Sequence, residues 1–176
     1  GNDLNAYLQL YYGMVTQIDA NVGRLLNELE RIGKKDDTLI VFTSDHGDMQ
    51  GSHGKTNKCL PWEESVGIPL IVSAPGGCSG TTCDSLVSGI DFYPTIEEYL
   101  GIETRTGLPG KSICPLLFDE NAVINEPVFS EMPDWKMVRR GNEKLAVDGN
   151  DLQPLHYFNL TADPYEMNNL AEEPDH

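Results

Sequence analysis

Residues 38–54 read TLIVFTSDHGDMQGSHG, an apolar run that changes abruptly into a polar, glycine-containing turn. The uninterrupted apolar character of residues 38–43 predicts a strand buried on both faces, as in a parallel sheet covered by helices. Asp45 and His46 follow this strand, and ligands of open α/β sheets gather beyond the carboxyl ends of strands. A carboxylate and an imidazole at this point could bind one divalent metal ion, with Gly47 providing the sharp turn between them. An Asp-His pair alone is more often a solvated turn, so the surrounding sequence has to decide.

The segments on either side of this strand predict an α/β fold. Apolar residues recur at three- and four-residue intervals over residues 4–32, which is typical of a long amphipathic helix. Residues 68–73 predict a second buried strand. Asp91 is the predicted N-cap of a helix over residues 92–100, which Gly101 would end. Helices and buried strands in this order favour a helix-covered sheet.

From residue 126 the pattern changes to short strands. The strand-like runs cover residues 128–130, 136–139, 144–147 and 156–160, with a hairpin turn at residues 140–143. We therefore predict two parts. Residues 1–125 form the α/β part, and residues 126–176 form a small antiparallel subdomain and tail.

Composition excludes two classes of partner. The formal net charge is -16, from 28 acidic and 12 basic residues, and the basic residues form no stripe. Such a surface repels nucleic acid and anionic membranes. No apolar run approaches the roughly 20 residues that span a bilayer. The chain opens on Gly1-Asn2-Asp3 without a signal-like segment, which resembles a cut inside a longer protein, so this start leaves the localisation open.

The cysteines and the adjacent glutamates carry weaker signals. Cys78 and Cys83 flank a four-residue loop and could close a small disulfide, or they could remain free thiols. Glu63 and Glu64 are neighbours on the chain, so their side chains are poorly placed to flank one glycosidic bond. Structural hydrogen bonding is the expected role of both carboxylates.

Several motifs follow Asp45 in a fixed order. They are Ser44-Asp45-His46-Gly47, the loop Gly51-Ser52-His53-Gly54, then Lys58, and then Trp62-Glu63-Glu64-Ser65 before the second strand. Further matching segments lie at residues 11–15, 90–95, 107–112 and 157–170. In this order the motifs resemble the sulfatase family, part of the alkaline phosphatase superfamily, over nearly the whole chain. The resemblance implies an alkaline-phosphatase-like sheet and hydrolysis of a sulfate ester.

The resemblance also implies roles for single residues. Asp45 and His46 would be two ligands of the active-site divalent cation, which is usually Ca2+ in this family. Lys58 would be the catalytic lysine that holds a sulfate oxygen, and a compact ammonium suits charge that builds on transferred oxygens. Lys55 is a nearby alternative to Lys58. His53 is expected to support the loop rather than to act in catalysis.

The family's nucleophile is a formylglycine made from the Cys or Ser of a C/S-x-P-S-R motif. Cys59-Leu60-Pro61 matches only the first positions of that motif, because Trp62-Glu63 follows. We therefore expect the formylglycine and further metal ligands on a preceding segment, and no activity from this chain alone. The expected substrate is a small-molecule or carbohydrate sulfate ester, and the family suggests a periplasmic or secreted protein.

Two alternatives stay open at this point. One is a phosphate or phosphonate ester hydrolase of the same superfamily, since Asp-His-Gly after a strand serves those sites too. The other is a non-catalytic acidic interaction domain, for which Asp45 and His46 would not be placed to share an ion. If neighbouring strands belong to another segment, the apolar edges of the two predicted strands are exposed, and the chain can self-associate.

Overall fold

A computed structural model describes residues 4–103, 105–124 and 126–173. The helices and strands, in chain order, are α1 (Leu4–Arg31), β1 (Ile40–Thr43), α2 (Glu63–Val66), β2 (Leu70–Ser73), α3 (Phe92–Tyr99), α4 (Cys114–Phe118), β3 (Val128–Met132), β4 (Trp135–Arg140), β5 (Glu143–Asp148) and β6 (Pro154–Asn159). Short 3-10 turns at Lys35–Asp37, Ser52–Gly54 and Gly89–Asp91 join some of them. The mixture of helices and strands confirms the predicted α/β class.

The long amphipathic helix is confirmed as α1, which has 28 residues. It ends where the chain reaches Gly33, whose φ of 67° is the left-handed conformation that glycine adopts without strain. None of the residues of α1 is buried. Among the helices that the structure describes, none is both long enough and apolar enough to cross a membrane.

Strands β1 and β2 pair with each other, but the expected parallel arrangement is wrong for this pair. They run antiparallel, with Ile40 opposite Ser73 and Thr43 opposite Leu70. Phe42 and Ile71 are exposed, so the pair is not buried on both faces either. An apolar run reports that a strand suits a buried environment, but it carries no information about strand direction. Here the connecting segment folds at one end of β1 and returns the chain in the opposite direction.

Helix α3 starts at Phe92 with Asp91 in the N-cap position, as predicted, but the Asp91 side chain makes no cap hydrogen bond to α3. Ser88 caps the 3-10 turn that leads into the helix, and Asp91 is the third residue of that turn. The Asp91 carboxylate accepts a hydrogen bond from the Ser88 backbone N–H at 2.8 Å, completing a capping box. Asp91 therefore occupies the N-cap position of α3, while its carboxylate serves the capping box of the preceding turn. The predicted end of the helix at a glycine is confirmed, since Gly101 follows α3 with a left-handed φ of 66°.

Strands β3 to β6 form the predicted antiparallel sheet, with strand order β3-β4-β5-β6. The hairpin turn between β4 and β5 is also confirmed, with Arg140 paired to Glu143. Trp135, Met137 and Ala146 form a buried cluster on this sheet, and Val66 of α2 packs against the cluster. The sheet therefore lies directly against the segment that follows the Asp-His turn.

The four cysteines are free thiols, including Cys78 and Cys83. Of the two possibilities left open by the sequence, the structure has the free thiols rather than the small disulfide.

Candidate functional site

Asp45 and His46 lie directly after β1, on an exposed turn. The Oδ2 atom of Asp45 is 3.5 Å from the Nε2 atom of His46. The Nδ1 atom of His46 is 2.8 Å from the carbonyl oxygen of Gly47, and a carbonyl can only accept, so Nδ1 carries the proton. In the neutral ring Nε2 is then a lone-pair acceptor. Two acceptor atoms therefore face each other on this turn.

This arrangement suits a divalent cation. Two lone-pair acceptors repel each other unless a proton or a cation lies between them, and carboxylate oxygen with imidazole nitrogen is a ligand pair for several divalent metals. The Nδ1–H bond to a carbonyl is the outer support that orients a metal-binding histidine. Within the described ranges, however, no group of three or more His, Cys, Asp or Glu side chains could hold a metal. Asp45 and His46 therefore fit two positions of a metal coordination sphere and do not complete one.

Gly47 is needed for a different reason from the one expected. Its Cα lies so close to α2 that an added Cβ would be 2.0 Å from the carbonyl oxygen of Glu64. The Gly47 N–H donates to the Ser65 carbonyl at 2.8 Å. Close approach of two backbones, rather than a left-handed turn, therefore requires glycine here. The same contact fixes the Asp-His turn against α2.

Lys58 lies on the exposed segment between the Ser52–Gly54 turn and α2. Its neighbours Asn57 and Cys59 both have positive φ, of 74° and 70°. The Asn57 carbonyl accepts a hydrogen bond from the Met49 N–H at 2.7 Å, which joins the lysine segment to the Asp-His segment. Nowhere in the described residues does the Lys58 ammonium have a hydrogen bond or an ion pair. The backbone of this lysine is fixed and its charge is available.

Lys55 and His53 lie near Lys58, and both contribute to the structure of the loop. Lys55 is also exposed, and its backbone N–H and carbonyl both close the turn, to Ser52 and to Gly51. His53 stacks on Trp62 with ring centroids 5.0 Å apart, and its Nε2 is 3.8 Å from a Glu64 carboxylate oxygen. These contacts fit the supporting role expected of His53.

The structure brings Asp45 and His46 within 3.5 Å of each other, but Lys58 has no hydrogen bond or ion pair to either of them in the part of the chain that the structure describes. Asp45 lines a cavity of about 360 Å³ that Glu63 and Arg139 also line. This cavity separates the Asp-His turn from the antiparallel sheet.

Glu63 belongs to a charged network that connects α2 with the carboxy-terminal sheet. Its carboxylate accepts from Lys144 at 3.0 Å and from Arg139 at 2.7 Å. Its backbone N–H donates to Glu166 Oε2 at 2.7 Å. The Lys144 Nζ is 2.7 Å from Glu166 Oε1, but outside hydrogen-bond geometry, so this contact is an ion pair without a directed bond. Structural hydrogen bonding was the expected role of Glu63, and the structure agrees.

Sequence reasoning missed the partners in this network. Lys144 and Glu166 are 81 and 103 residues away from Glu63 along the chain, and their side chains are each 1% exposed. No local pattern marks either residue as buried, since charged residues in a strand and in a polar tail are ordinarily solvated. The only conformational sign is the positive φ of Glu166, 54°, which a sequence does not display.

Comparisons with known proteins agree with the geometry. A model of the Sulfatase family matches residues 2–102. The N-acetylglucosamine-6-O-sulfatase of Bacteroides thetaiotaomicron is 33% identical over 93% of this chain and 32% of its own length. The chain spans about a third of the length of the curated relatives that it matches.

Two solved structures show the same fold. A protein in complex with its substrate D-glucosamine-2-N,6-O-disulfate superposes with a TM-score of 0.83 and 33% identity, over 92% of this chain and 35% of the other. The phosphonate monoester hydrolase of Agrobacterium radiobacter gives a TM-score of 0.85 and 28% identity, over 98% of this chain and 38% of the other. The fold class is thus that of the alkaline phosphatase superfamily. The family model and the relatives together establish that this chain belongs to the sulfatase family.

Proposed function

We propose that this chain is the carboxy-terminal portion of a metal-dependent sulfuric ester hydrolase. The observation that carries the proposal is the 3.5 Å separation of Asp45 Oδ2 and His46 Nε2, two atoms close enough to bind one cation. Membership of the sulfatase family supplies the reaction class. The relative that acts on N-acetylglucosamine sulfate and the neighbour bound to glucosamine disulfate support a sulfated carbohydrate as substrate.

In this proposal, Asp45 and His46 provide two ligands of a divalent cation, with Ca2+ as the expected ion. The bound cation supplies positive charge next to the sulfate group. Lys58 supplies a second positive charge from the neighbouring segment and holds a sulfate oxygen as negative charge develops on it. The formal net charge of -16 repels an anionic substrate, so local cations are needed for binding.

The nucleophile belongs to another segment in this proposal. The chain spans about a third of its curated relatives, so the formylglycine and the remaining metal ligands have room to lie elsewhere in a longer protein. We therefore expect this chain alone to have no hydrolytic activity.

A phosphonate ester hydrolase is the second candidate. The neighbour from Agrobacterium radiobacter, with 28% identity and a TM-score of 0.85, favours it. Both reactions use a cation and a lysine on an anionic group, so the residues described above serve either one. A non-catalytic acidic domain is a weaker explanation, because the chain belongs to the sulfatase family.

The test compares two esters and two lysine variants in the longer protein. Hydrolysis of 4-nitrophenyl sulfate and of a 4-nitrophenyl phosphonate monoester is measured with and without a calcium chelator. We expect the sulfate ester to be preferred, and chelation to abolish its hydrolysis. Lys58→Ala should lower kcat/KM by about 10²- to 10³-fold, as the loss of one group that stabilises transition-state charge does. Lys55→Ala is the matched control and should retain activity.

Three results would contradict the proposal. A preference for the phosphonate ester would favour the second candidate. Equal effects of Lys58→Ala and Lys55→Ala would remove the role assigned to Lys58. Turnover of 4-nitrophenyl sulfate by the 176-residue chain alone would show that the nucleophile is not elsewhere.

A further inference from the structure

We infer that Trp135 is a positioning residue for Lys58, acting through the hydrogen bond from its indole N–H to the carbonyl of Cys59. The donor Nε1 and the acceptor oxygen are 3.0 Å apart. Trp135 begins β4, so the carboxy-terminal sheet contributes directly to the site in the α/β part. This inference rests on the role proposed above for Lys58.

The backbone on both sides of Lys58 lies in the left-handed region, which is more costly for cysteine than for asparagine. Asn57 and Cys59 have φ values of 74° and 70°, and neither is a glycine. A non-glycine residue in the left-handed region persists only where its surroundings determine the conformation. Two such residues around one lysine therefore require specific contacts that hold them.

The structure supplies a contact for each of these residues. The Asn57 carbonyl accepts from the N–H of Met49, which is fully buried. The Cys59 carbonyl accepts from Trp135, which is buried with Met137. The carbonyl groups of Asn57 and Cys59 are thus each hydrogen-bonded to a buried residue.

One further hydrogen bond limits the segment on the side of α2. The Leu60 N–H donates to the Ser65 hydroxyl at 3.2 Å, and Ser65 is buried. The Leu60 N–H and the Cys59 carbonyl belong to one planar peptide group, so Ser65 and Trp135 hold the same group from its two sides. The Trp135 bond is the second anchor of this peptide group, and it is the one that comes from the carboxy-terminal sheet.

Loss of that bond would affect Lys58 before it affects the fold. Cys59 is exposed, so its carbonyl can exchange the indole for water while the sheet stays intact. With the Ser65 bond as its one remaining anchor among the described residues, the peptide group would be held less tightly. Cys59 would then leave the left-handed region more often, and the turn of its backbone would move the Cα–Cβ direction of Lys58. The lysine would spend less time where it meets the anion.

The first experiment measures, in this chain, how far the hydrogen bond from Trp135 to Cys59 restrains the segment around Lys58. Position 135 carries either phenylalanine (Trp135→Phe) or β-(3-benzothienyl)alanine, which keeps the bicyclic shape and removes only the N–H donor. Met137→Ala, in the same buried cluster, is the control for general loss of stability. Amide hydrogen exchange at Leu60 should rise by about 3- to 10-fold with both Trp135 replacements, as expected for one ordinary hydrogen bond. In Met137→Ala the rise at Leu60 should not exceed the rise in the sheet.

The second experiment asks whether the effect passes through Lys58. In the longer protein, the benzothienyl replacement should lower kcat/KM for 4-nitrophenyl sulfate by about 3- to 10-fold, and it should have no further effect in a Lys58→Ala background. An equal loss in both backgrounds would overturn the inference, as would unchanged exchange at Leu60. If Lys58→Ala itself has no effect on kcat/KM, the proposed role of Lys58 fails, and the exchange result still decides whether Trp135 holds the segment.

Discussion

Replacing Lys144 by methionine should destabilise the protein more than any other single change in the charged network. The Lys144 side chain is 1% exposed, and its ammonium is 2.7 Å from Glu166 and 3.0 Å from Glu63. Methionine keeps much of the aliphatic volume and removes the charge. Glu166, also 1% exposed, then retains a hydrogen bond from the Glu63 N–H but has no cation beside it.

The size of the effect follows from this burial. Removing one partner of a buried ion pair destabilises by about 3–5 kcal/mol, because the other charge stays buried and uncompensated. For a domain of this size each kcal/mol lowers the melting temperature by roughly 2–4 °C, so the expected decrease is about 6–20 °C. Arg139→Met is the matched control, because Arg139 also binds Glu63 but is 23% exposed, with Glu63 at 30%. A pair this exposed contributes about 1 kcal/mol or less.

The assays are thermal unfolding for the melting temperature and urea unfolding for the free energy, both followed by tryptophan fluorescence. Both tryptophans, Trp62 and Trp135, lie where the α2 segment meets the carboxy-terminal sheet, so their emission reports on the region that contains the network. A double variant that adds Glu166→Gln to Lys144→Met should recover part of the lost stability, since the unpaired charge is removed. The reasoning is refuted if Lys144→Met costs no more than Arg139→Met, or if the double variant is less stable than Lys144→Met alone.

Three further predictions address the turn, the histidine stack and the exposed strands. Gly47→Ala should lower the melting temperature, because its Cβ would meet the Glu64 carbonyl at 2.0 Å, whereas Gly23→Ala, with open space around it in α1, should not. Desolvation, followed by the charges of His53 and Lys144, lowers the pKa of His156 below 6.5, so the unfolded state binds more protons and stability should fall as the pH drops below about 6.5. His156→Gln should flatten that part of the stability–pH curve, and an unchanged slope would contradict the assignment. The exposed apolar side chains of β1 and β2 should cause this chain to associate at high concentration, and light scattering that finds only monomer would count against it.

Much of the secondary structure could be predicted from sequence because its signals are local. The 3.6-residue period gave α1, and β-branched runs gave the strands, including the hairpin at residues 140–143. The direction of β2 relative to β1 depends on how residues 44–69 fold, which no period within the strands records. The N-cap position of Asp91 was predicted, but the 3-10 turn before α3 was not, so the capping box between Ser88 and Asp91 was missed.

In the candidate site, too, features formed by neighbouring residues could be predicted, and those formed by distant residues could not. Asp45 and His46 are adjacent in the sequence, so their association with one ion could be anticipated, while the proton on His46 Nδ1 follows only from the 2.8 Å contact with Gly47. The hydrogen bond from Trp135 to Cys59 joins residues that are 76 positions apart in the sequence. Contacts of this kind depend on the packing of the sheet against the loop, and a single sequence carries no sign of them.

The exposure of α1 has a consequence for how this chain unfolds. Its 28 residues include none that is buried, and one of its links to the rest of the chain is a 3.3 Å hydrogen bond from Tyr7 to Asp48. Helices in proteins draw most of their stability from packing, so α1 should lose its structure gradually on heating while the carboxy-terminal sheet still holds. Ellipticity at 222 nm and tryptophan emission would then follow different curves, and one melting temperature would not describe both. Cooperativity would return when another surface covers the helix.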